Sequence, residues 1–159
     1  MTDARRASPG VRFPPPTLFV AGFLIALALE RWALSLPFSA VGVPALPLSA
    51  WILIALGMAL LAWAMLTFRR ARTAIMPFNP ASTIVTRGPY RLSRNPMYVG
   101  LTLVYLGLSL LVGTVWPIVL LPVVLWSLYM LVIRREERYL GSAFAEEYGA
   151  YRRRVRRWL

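Results

Sequence analysis

The 159-residue sequence contains no cysteine, no histidine and no lysine. Without cysteine the chain has no disulfide bond, no thiolate nucleophile and no thiolate ligand for a metal. Without histidine it has no imidazole for acid–base catalysis and none of the common zinc sites, and without lysine it forms no Schiff base. We therefore expect no resident metal, and a reaction that draws on none of these side chains.

Acidic side chains are also scarce. Six carboxylates stand against 18 arginines, and the formal net charge is +12. Such a charge is compatible with nucleic-acid binding, but no recognised nucleic-acid-binding module is present, so we expect no such partner. Any chemistry by a carboxylate must use one of Asp3, Glu30, Glu136, Glu137, Glu146 and Glu147.

Charge is sparse along the chain as a whole. Charged residues make up 15% of the sequence and apolar residues 58%, whereas soluble domains average about 25% and about 45–50%. Residues 32–68 and 95–133 carry no charge at all. A helix that crosses a bilayer needs about 20 apolar residues, so both stretches are long enough. The sequence therefore predicts an integral membrane protein.

The pattern of apolar runs predicts an all-α fold with about four transmembrane helices in one domain, residues 1–159. The second uncharged stretch is too long for one helix, and Gly113 and Pro117 mark the turn that divides it. The predicted spans are 17–36, 48–68, 97–112 and 116–133, with a loop at 69–96 and an amphipathic, interfacial C-terminal helix at 134–159.

The arginines predict the orientation of these spans. Three precede the first span, six lie in the loop 69–96, eight follow residue 133, and Arg31 alone falls on the other side. By the positive-inside rule the arginine-rich side is cytosolic. We therefore expect both termini in the cytosol and a bacterial inner (plasma) membrane, with the bilayer as partner and the net charge directed at anionic headgroups.

The tail after the last span has a helical pattern. Its large apolar residues recur at spacings of four, four, three, four and three, which predicts one apolar stripe of an amphipathic helix. Such a helix either lies at the membrane interface or covers a cofactor, and the pattern leaves both open. The stripe consists of Leu140, Phe144, Tyr148, Tyr151, Val155 and Trp158.

Three acidic positions and one helix start are the local candidates for chemistry. Glu136 and Glu137 differ by about 100° around a helix, so at most one of them faces a given site. Asn95 and Pro96 are a good N-cap and first residue for the third span, whose free N–H groups favour an anionic ligand. Glu30 lies inside the first span beside Arg31, either as a functional intramembrane acid or in a local ion pair.

Two sequence blocks resemble a known family. The first is Ser-Thr-Ile-Val-Thr-Arg-Gly-Pro-Tyr at 82–90, followed by Arg-Asn-Pro-Met-Tyr-Val-Gly at 94–100. The second is Glu-Glu-Arg-Tyr-Leu at 136–140, followed by Phe-Ala-Glu-Glu-Tyr-Gly-Ala-Tyr at 144–151. Together they resemble the isoprenylcysteine carboxyl methyltransferase and phospholipid methyltransferase superfamily, across roughly residues 69–159.

The resemblance implies an S-adenosylmethionine-dependent methyltransferase embedded in the membrane. Asn95 stands where many relatives have histidine, and Ala145 replaces a usual glycine. The cofactor contacts that the resemblance and the nearby aromatics imply are Ser82, Thr83, Ile84, Val85, Tyr90, Asn95, Pro96, Met97, Tyr98, Gly100, Glu136, Glu137, Tyr148 and Tyr151.

This chemistry suits a chain without histidine, cysteine or lysine. Methyl transfer from a sulfonium needs an in-line approach of nucleophile, methyl group and sulfur, so most of the catalysis is positioning. The candidate catalytic residues are Glu136, for the ammonium or ribose hydroxyls of the cofactor, and Arg94 and Arg134, for a carboxylate. The acceptor is expected to be a lipophilic or small molecule that offers a carboxyl, amine or thiol group.

Two other functions fit parts of the sequence. A sterol-reductase-like enzyme that uses NADPH has a similar Arg-x-Pro-x-Tyr element, but those chains are much longer and the pair of glutamates at 136–137 favours a methyl donor. A small proton-coupled transporter that uses Glu30 also has four spans, but such transporters have short loops, whereas this chain has a long cytosolic loop and tail.

Overall fold

The computed structural model describes residues 10–11, 13–38, 47–73 and 81–158. Within these ranges every regular secondary-structure element is helical and no strand is formed, which confirms the all-α prediction. The α-helices are α1 (Pro16–Trp32), α2 (Pro47–Arg70), α3 (Pro96–Val112), α4 (Trp116–Leu128), α5 (Arg134–Ala143) and α6 (Ala145–Arg154); a 3-10 turn spans Gly88–Arg91 and a π turn spans Tyr129–Ile133.

Two helices are long and apolar enough to cross a membrane. They are α2 and the continuous helix Trp116–Ala143, while α3 is apolar but shorter. Large apolar side chains on α2 remain exposed, including Trp51 at 60% and Leu56 at 56% of their full exposure. Water disfavours an apolar surface of this extent, so this face fits lipid. Helix α1 has 17 residues, and the full set of four crossings stays a prediction.

Helices α2 and α3 pack through a seam of small residues. Buried Ala50, Gly57 and Ala64 recur every seventh residue on α2, and Ala50 and Gly57 face α3. A Cβ atom built on Gly57 lies 2.6 Å from the carbonyl oxygen of Gly100, and one on Gly107 lies 2.7 Å from that of Ala50. Small side chains let two membrane helices approach at backbone distance. The seam therefore fixes the position of α3, whose first turn begins the candidate site.

Helices α1, α3 and α4 enclose an apolar cluster on the opposite side of α3. Phe19 and Phe23 of α1 contact the ring of Tyr105 edge-on, with centroids 5.9 and 5.4 Å apart. Tyr98, Val124, Leu128 and Ile133 are buried in the same cluster, and Trp158 of the tail packs against it. The cluster therefore extends from the middle of the bundle to the end where α3 begins.

Glu30 closes the other end of the bundle. Its carboxylate accepts hydrogen bonds from the Thr114 hydroxyl at 2.6 Å and from the Leu36 amide at 2.9 Å, and from the Ser35 hydroxyl. These bonds join the chain that follows α1 to the turn between α3 and α4. Arg31 is exposed, and no ion pair joins it to Glu30 in the described part of the chain.

The tail differs from the prediction of one helix over 134–159. The helix breaks at Phe144, whose backbone angles are φ −137° and ψ 45°, and the chain becomes extended again at Val155. The break turns the apolar stripe inward: Phe144, Tyr148 and Tyr151 are buried with Tyr139. Burial of these aromatic rings explains the break, because one straight helix would leave part of the stripe uncovered.

Gly107→Ala is expected to destabilise the protein although alanine favours helices. The added methyl group meets the carbonyl oxygen of Ala50, so we expect a loss of about 1–3 kcal/mol, seen as a lower apparent melting temperature in detergent. Gly149→Ala is the matched control: it meets only ordinary contacts in α6 and gains about 0.5–1 kcal/mol of helix preference. Equal shifts in the two variants would contradict the close seam.

Glu30→Ala is expected to lower the apparent melting temperature, because the Leu36 amide and the Thr114 hydroxyl lose their acceptor. The measurement is again thermal unfolding of the purified protein. Glu147→Ala removes the same charge from an exposed position on α6 and is expected to leave the melting temperature unchanged. A Glu30→Ala variant as stable as the parent would show that these hydrogen bonds do not stabilise this end of the bundle.

Candidate active site

Tyr98 and Glu136 meet at the end of the bundle where α3 begins and α5 follows the π turn. The Tyr98 hydroxyl donates a hydrogen bond to Glu136 Oε1 at 2.9 Å. Tyr98 lies in the first turn of α3, and Glu136 lies in the first turn of α5, which begins directly after the π turn. Glu136 Oε2 makes no hydrogen bond to any residue that the structure describes. The pair therefore presents a carboxylate oxygen at the edge of the apolar cluster.

Glu137, the neighbouring acid, is held differently. Arg157 binds it with two parallel hydrogen bonds, from Nε to Oε1 at 3.0 Å and from Nη2 to Oε2 at 2.9 Å. Arg94 Nη1 lies 3.1 Å from the same Oε1. Bidentate arginine–carboxylate pairs are the strong form of this interaction, and the carboxylate raises the pKa of Arg157. Of the two glutamates, Glu136 is thus the one with an oxygen available to a ligand.

Arg94 connects this ion pair to the rest of the site. Its Nη1 also donates a hydrogen bond to the Tyr148 hydroxyl at 3.4 Å, and its Nε is buried without a partner in the described residues. Two guanidinium groups therefore share one carboxylate, so the group keeps a net positive charge. A buried donor without a partner is costly, and an anionic ligand group would satisfy it.

Asn95 takes the N-cap position of α3, as predicted, but its side chain makes no capping hydrogen bond. Its Nδ2 instead donates to the carbonyl oxygen of Arg157 at 3.0 Å, and the Ser93 hydroxyl donates to the same oxygen at 3.2 Å. The Arg94 amide donates to the carbonyl oxygen of Arg156 at 2.9 Å. The start of α3 therefore binds the end of the chain.

Tyr90 and Tyr151 lie in an adjoining layer. The Tyr151 hydroxyl donates to the carbonyl oxygen of Tyr90 at 2.7 Å. Burial raises the pKa of both phenols, so both stay neutral. Val85 is buried beside Tyr90, and Met97 packs against them. This layer joins the 3-10 turn to α6.

The loop residues before this layer are more open. Ser82 is exposed; its amide donates to Thr73 Oγ1 at 3.0 Å and its hydroxyl to the carbonyl oxygen of Arg72 at 3.2 Å. Thr83 is exposed, while Ile84 packs against the buried aromatic stripe of the tail. Residues 74–80, part of the predicted loop, lie outside the described residues.

The structure brings several of the predicted site residues together and separates others. Arg94 contacts Glu137 and Tyr148, and Asn95 binds Arg157, the other partner of Glu137. Tyr98 and Glu136 form a pair of their own, adjacent to this group through the neighbouring position of Glu137. Pro96 is buried as the first residue of α3. Gly100 instead faces α2 in the small-residue seam, and Arg134 is exposed at the start of α5. Their predicted roles stay predictions.

Arg157 and Tyr129 are the residues of this group that the sequence did not single out. The guanidinium of Arg157 lies over the ring of Tyr129, 5.0 Å from its centroid, a cation–π contact. Arg157 is one of five arginines between residues 152 and 157, and helical spacing does not distinguish it from the others. Arg157 differs from the others because α6 ends before Val155, and the change of chain direction there brings the Arg157 side chain to Glu137.

No group of three or more acidic, histidine or cysteine side chains that could hold a metal ion occurs in the part of the chain that the structure describes. The candidate site therefore consists of one available carboxylate, two arginines and a set of tyrosines. Such a set suits a ligand that carries both positive and negative groups.

Comparison with known proteins gives a consistent result. Residues 47–147 match the phospholipid methyltransferase family. A protein-S-isoprenylcysteine O-methyltransferase of Schizosaccharomyces pombe is 38% identical over 77 residues, which is 48% of this chain and 33% of that protein. The cobalt-zinc-cadmium resistance protein CzcN of Cupriavidus metallidurans is 40% identical over 74 residues, 46% of this chain and 34% of that protein.

A third relative, an uncharacterised protein of Haemophilus influenzae, is 38% identical over 65 residues, 40% of this chain and 100% of that protein. The alignments span about a third of the length of the first two relatives. No solved structure matches this chain.

Glu137→Ala is expected to destabilise the protein by about 2–3 kcal/mol, because it leaves Arg94 and Arg157 without their shared carboxylate. Glu136→Ala removes a single hydrogen bond from Tyr98 and is expected to cost much less. Thermal unfolding of both variants side by side checks this. The reverse order of melting temperatures would contradict the inference that Glu137 stabilises the fold and that Glu136 is the glutamate available to a ligand.

Proposed function

Because the chain belongs to the phospholipid methyltransferase family, we propose that it is an integral membrane methyltransferase that uses S-adenosylmethionine. It transfers the methyl group to a lipophilic or small acceptor with a carboxyl, amine or thiol group. The observation that carries the proposal is the Tyr98–Glu136 pair, which places a carboxylate with one available oxygen beside an apolar interior.

The residues present fit the charged groups of S-adenosylmethionine. The available oxygen of Glu136 suits its ammonium group or its ribose hydroxyls. The unpartnered Nε of Arg94 suits its carboxylate. Tyr98 and Tyr148 supply aromatic rings beside these two groups, which suit the sulfonium or the adenine. Each part of the donor thus has a chemically matched group among the described side chains.

S-adenosylmethionine supplies an activated methyl group on a sulfonium, so the chain needs no nucleophile or metal of its own. The task of the protein is to orient donor and acceptor and to exclude water. Tyr98 is buried, with 8% of its surface exposed, and it orients Glu136 through its hydrogen bond. Glu137 orients Arg94 through the ion pair at 3.1 Å. Both are positioning roles for groups that would touch the donor.

The apolar cluster of α1, α3 and α4 suits the tail of a lipophilic acceptor. It includes Tyr98 and continues toward Tyr105 and Leu128 inside the bundle. An acceptor that enters sideways from the bilayer would bring its polar end to the site from the membrane side, and the donor would enter from the cytosol. The name of the fission yeast relative specifies O-methylation of isoprenylcysteine, so a prenylated carboxylate is the first acceptor to test.

The two other functions find less support. A proton-coupled transporter would depend on Glu30, but the carboxylate of Glu30 accepts three hydrogen bonds that join two parts of the chain. An NADPH-dependent reductase is not favoured by family membership. We further propose an inner-membrane location in a bacterium with both termini in the cytosol, which the distribution of arginines supports.

Glu136→Ala is expected to weaken binding of S-adenosylmethionine about tenfold to a hundredfold, because one charge-assisted hydrogen bond contributes about 1.5–3 kcal/mol. Equilibrium binding to protein in lipid nanodiscs measures this. Glu146→Ala, which removes an exposed carboxylate from α6, is the matched control and is expected to bind normally. A folded Glu136→Ala variant with unchanged affinity would remove Glu136 from the site.

The activity itself is tested by transfer of a tritiated methyl group to membrane lipid extracts and to small lipophilic acids, amines and thiols. Titration with NADPH under the same conditions is the control for the reductase alternative. Tight NADPH binding without binding of S-adenosylmethionine would overturn the proposed function.

A further inference from the structure

The last described residues form a short non-helical segment, here called the C-terminal strap (residues 155–158). Val155 has the extended angles φ −121° and ψ 130°, so α6 ends there. Beyond it, tertiary contacts fix the position of the strap.

One set of contacts ties the strap to the start of α3. Three donors reach its carbonyl oxygens: the Arg94 amide reaches Arg156, and the Ser93 hydroxyl and Asn95 Nδ2 both reach Arg157. Two of the three donors are side chains. Tyr98 follows this segment by one helical turn, so the strap lies next to the residue that orients Glu136.

The second set of contacts ties the strap to the region around the π turn. Arg157 binds Glu137 through two hydrogen bonds and covers the ring of Tyr129, and Trp158 packs against the apolar cluster that contains Tyr98. Glu137 is the direct neighbour of Glu136. The strap therefore bridges the two elements that carry the Tyr98–Glu136 pair.

The bond between Arg157 and Glu137 is built so that it can open. The Arg157 side chain is 33% exposed, whereas those of Arg94 and Glu137 are 11% and 16% exposed. If Arg157 swings into water, Arg94 still neutralises Glu137 from 3.1 Å. Opening therefore leaves no buried charge unpaired. In most buried ion pairs, the charge that is left unpaired accounts for the large cost of breaking the pair.

We propose that the C-terminal strap is a latch over the candidate site, and that S-adenosylmethionine enters and leaves when Arg157 releases Glu137. This inference rests on the proposed function, since it concerns exchange of the donor at the same site. Arg157 acts through Glu137 and the strap, so it is a positioning residue.

The test compares Arg157→Ala with Arg156→Ala in nanodiscs. Both variants remove one positive charge from the strap, but the Arg156 side chain is exposed and only its backbone binds α3. The dissociation rate of radiolabelled S-adenosylmethionine is the first readout. The second, which needs no ligand, is hydrogen exchange of the Arg94 amide, whose acceptor is the strap.

Arg157→Ala is expected to raise the dissociation rate about tenfold, the factor that corresponds to about 1.4 kcal/mol, and to speed exchange at the Arg94 amide. Arg156→Ala is expected to leave both unchanged. Arg157→Lys keeps the charge without the bidentate geometry and is expected to fall between them, which covers the case that the alanine variant fails to fold.

Equal dissociation rates in the parent, Arg157→Ala and Arg156→Ala proteins would overturn the latch and leave the proposed function intact. An Arg94 amide as protected in Arg157→Ala as in the parent would overturn it as well. A parent protein that binds no S-adenosylmethionine would instead overturn the proposed function.

Discussion

One carboxylate, that of Glu137, joins three separate parts of this chain. Arg94 reaches it from the loop before α3, Arg157 reaches it from the C-terminal strap, and Glu137 itself belongs to α5. A partly buried acid next to an apolar bundle needs cationic partners. Pairing of this one charge therefore brings together the elements that surround the candidate site. Because both arginines bind Glu137, neither of them pairs with the neighbouring Glu136.

The backbone provides the complementary constraint. The small residues of α2 and α3 fix α3 at close range, and the π turn after α4 sets the rotation of α5. A π turn adds one residue to a helical turn and is common at functional sites. Here it ends at Ile133, immediately before the first turn of α5, where the side chains of Glu136 and Glu137 contact Tyr98 and Arg157 respectively.

Prediction from sequence succeeded where the signal is local. Long uncharged runs identify the apolar helices, Gly113 and Pro117 mark the turn before α4, and Asn95 marks the start of α3. The break at Phe144 was not predicted, because an apolar stripe at helical spacing is the same for one straight helix and for two helices folded onto a loop. The partners of Asn95 and Arg157 also depend on chain reversal, which no helical spacing encodes.

The surroundings of the few acids narrow the chemistry further than composition does. Asp3 lies outside the described residues, Glu30 is saturated by donors at the far end of the bundle, and Glu137 is bound by two arginines. Glu146 and Glu147 are exposed on α6. Among the described acids this leaves Glu136, which shares one oxygen with Tyr98 and has the other available. The function we propose for a chain without histidine, cysteine or lysine therefore rests on this one carboxylate and on a donor that brings its own reactive group.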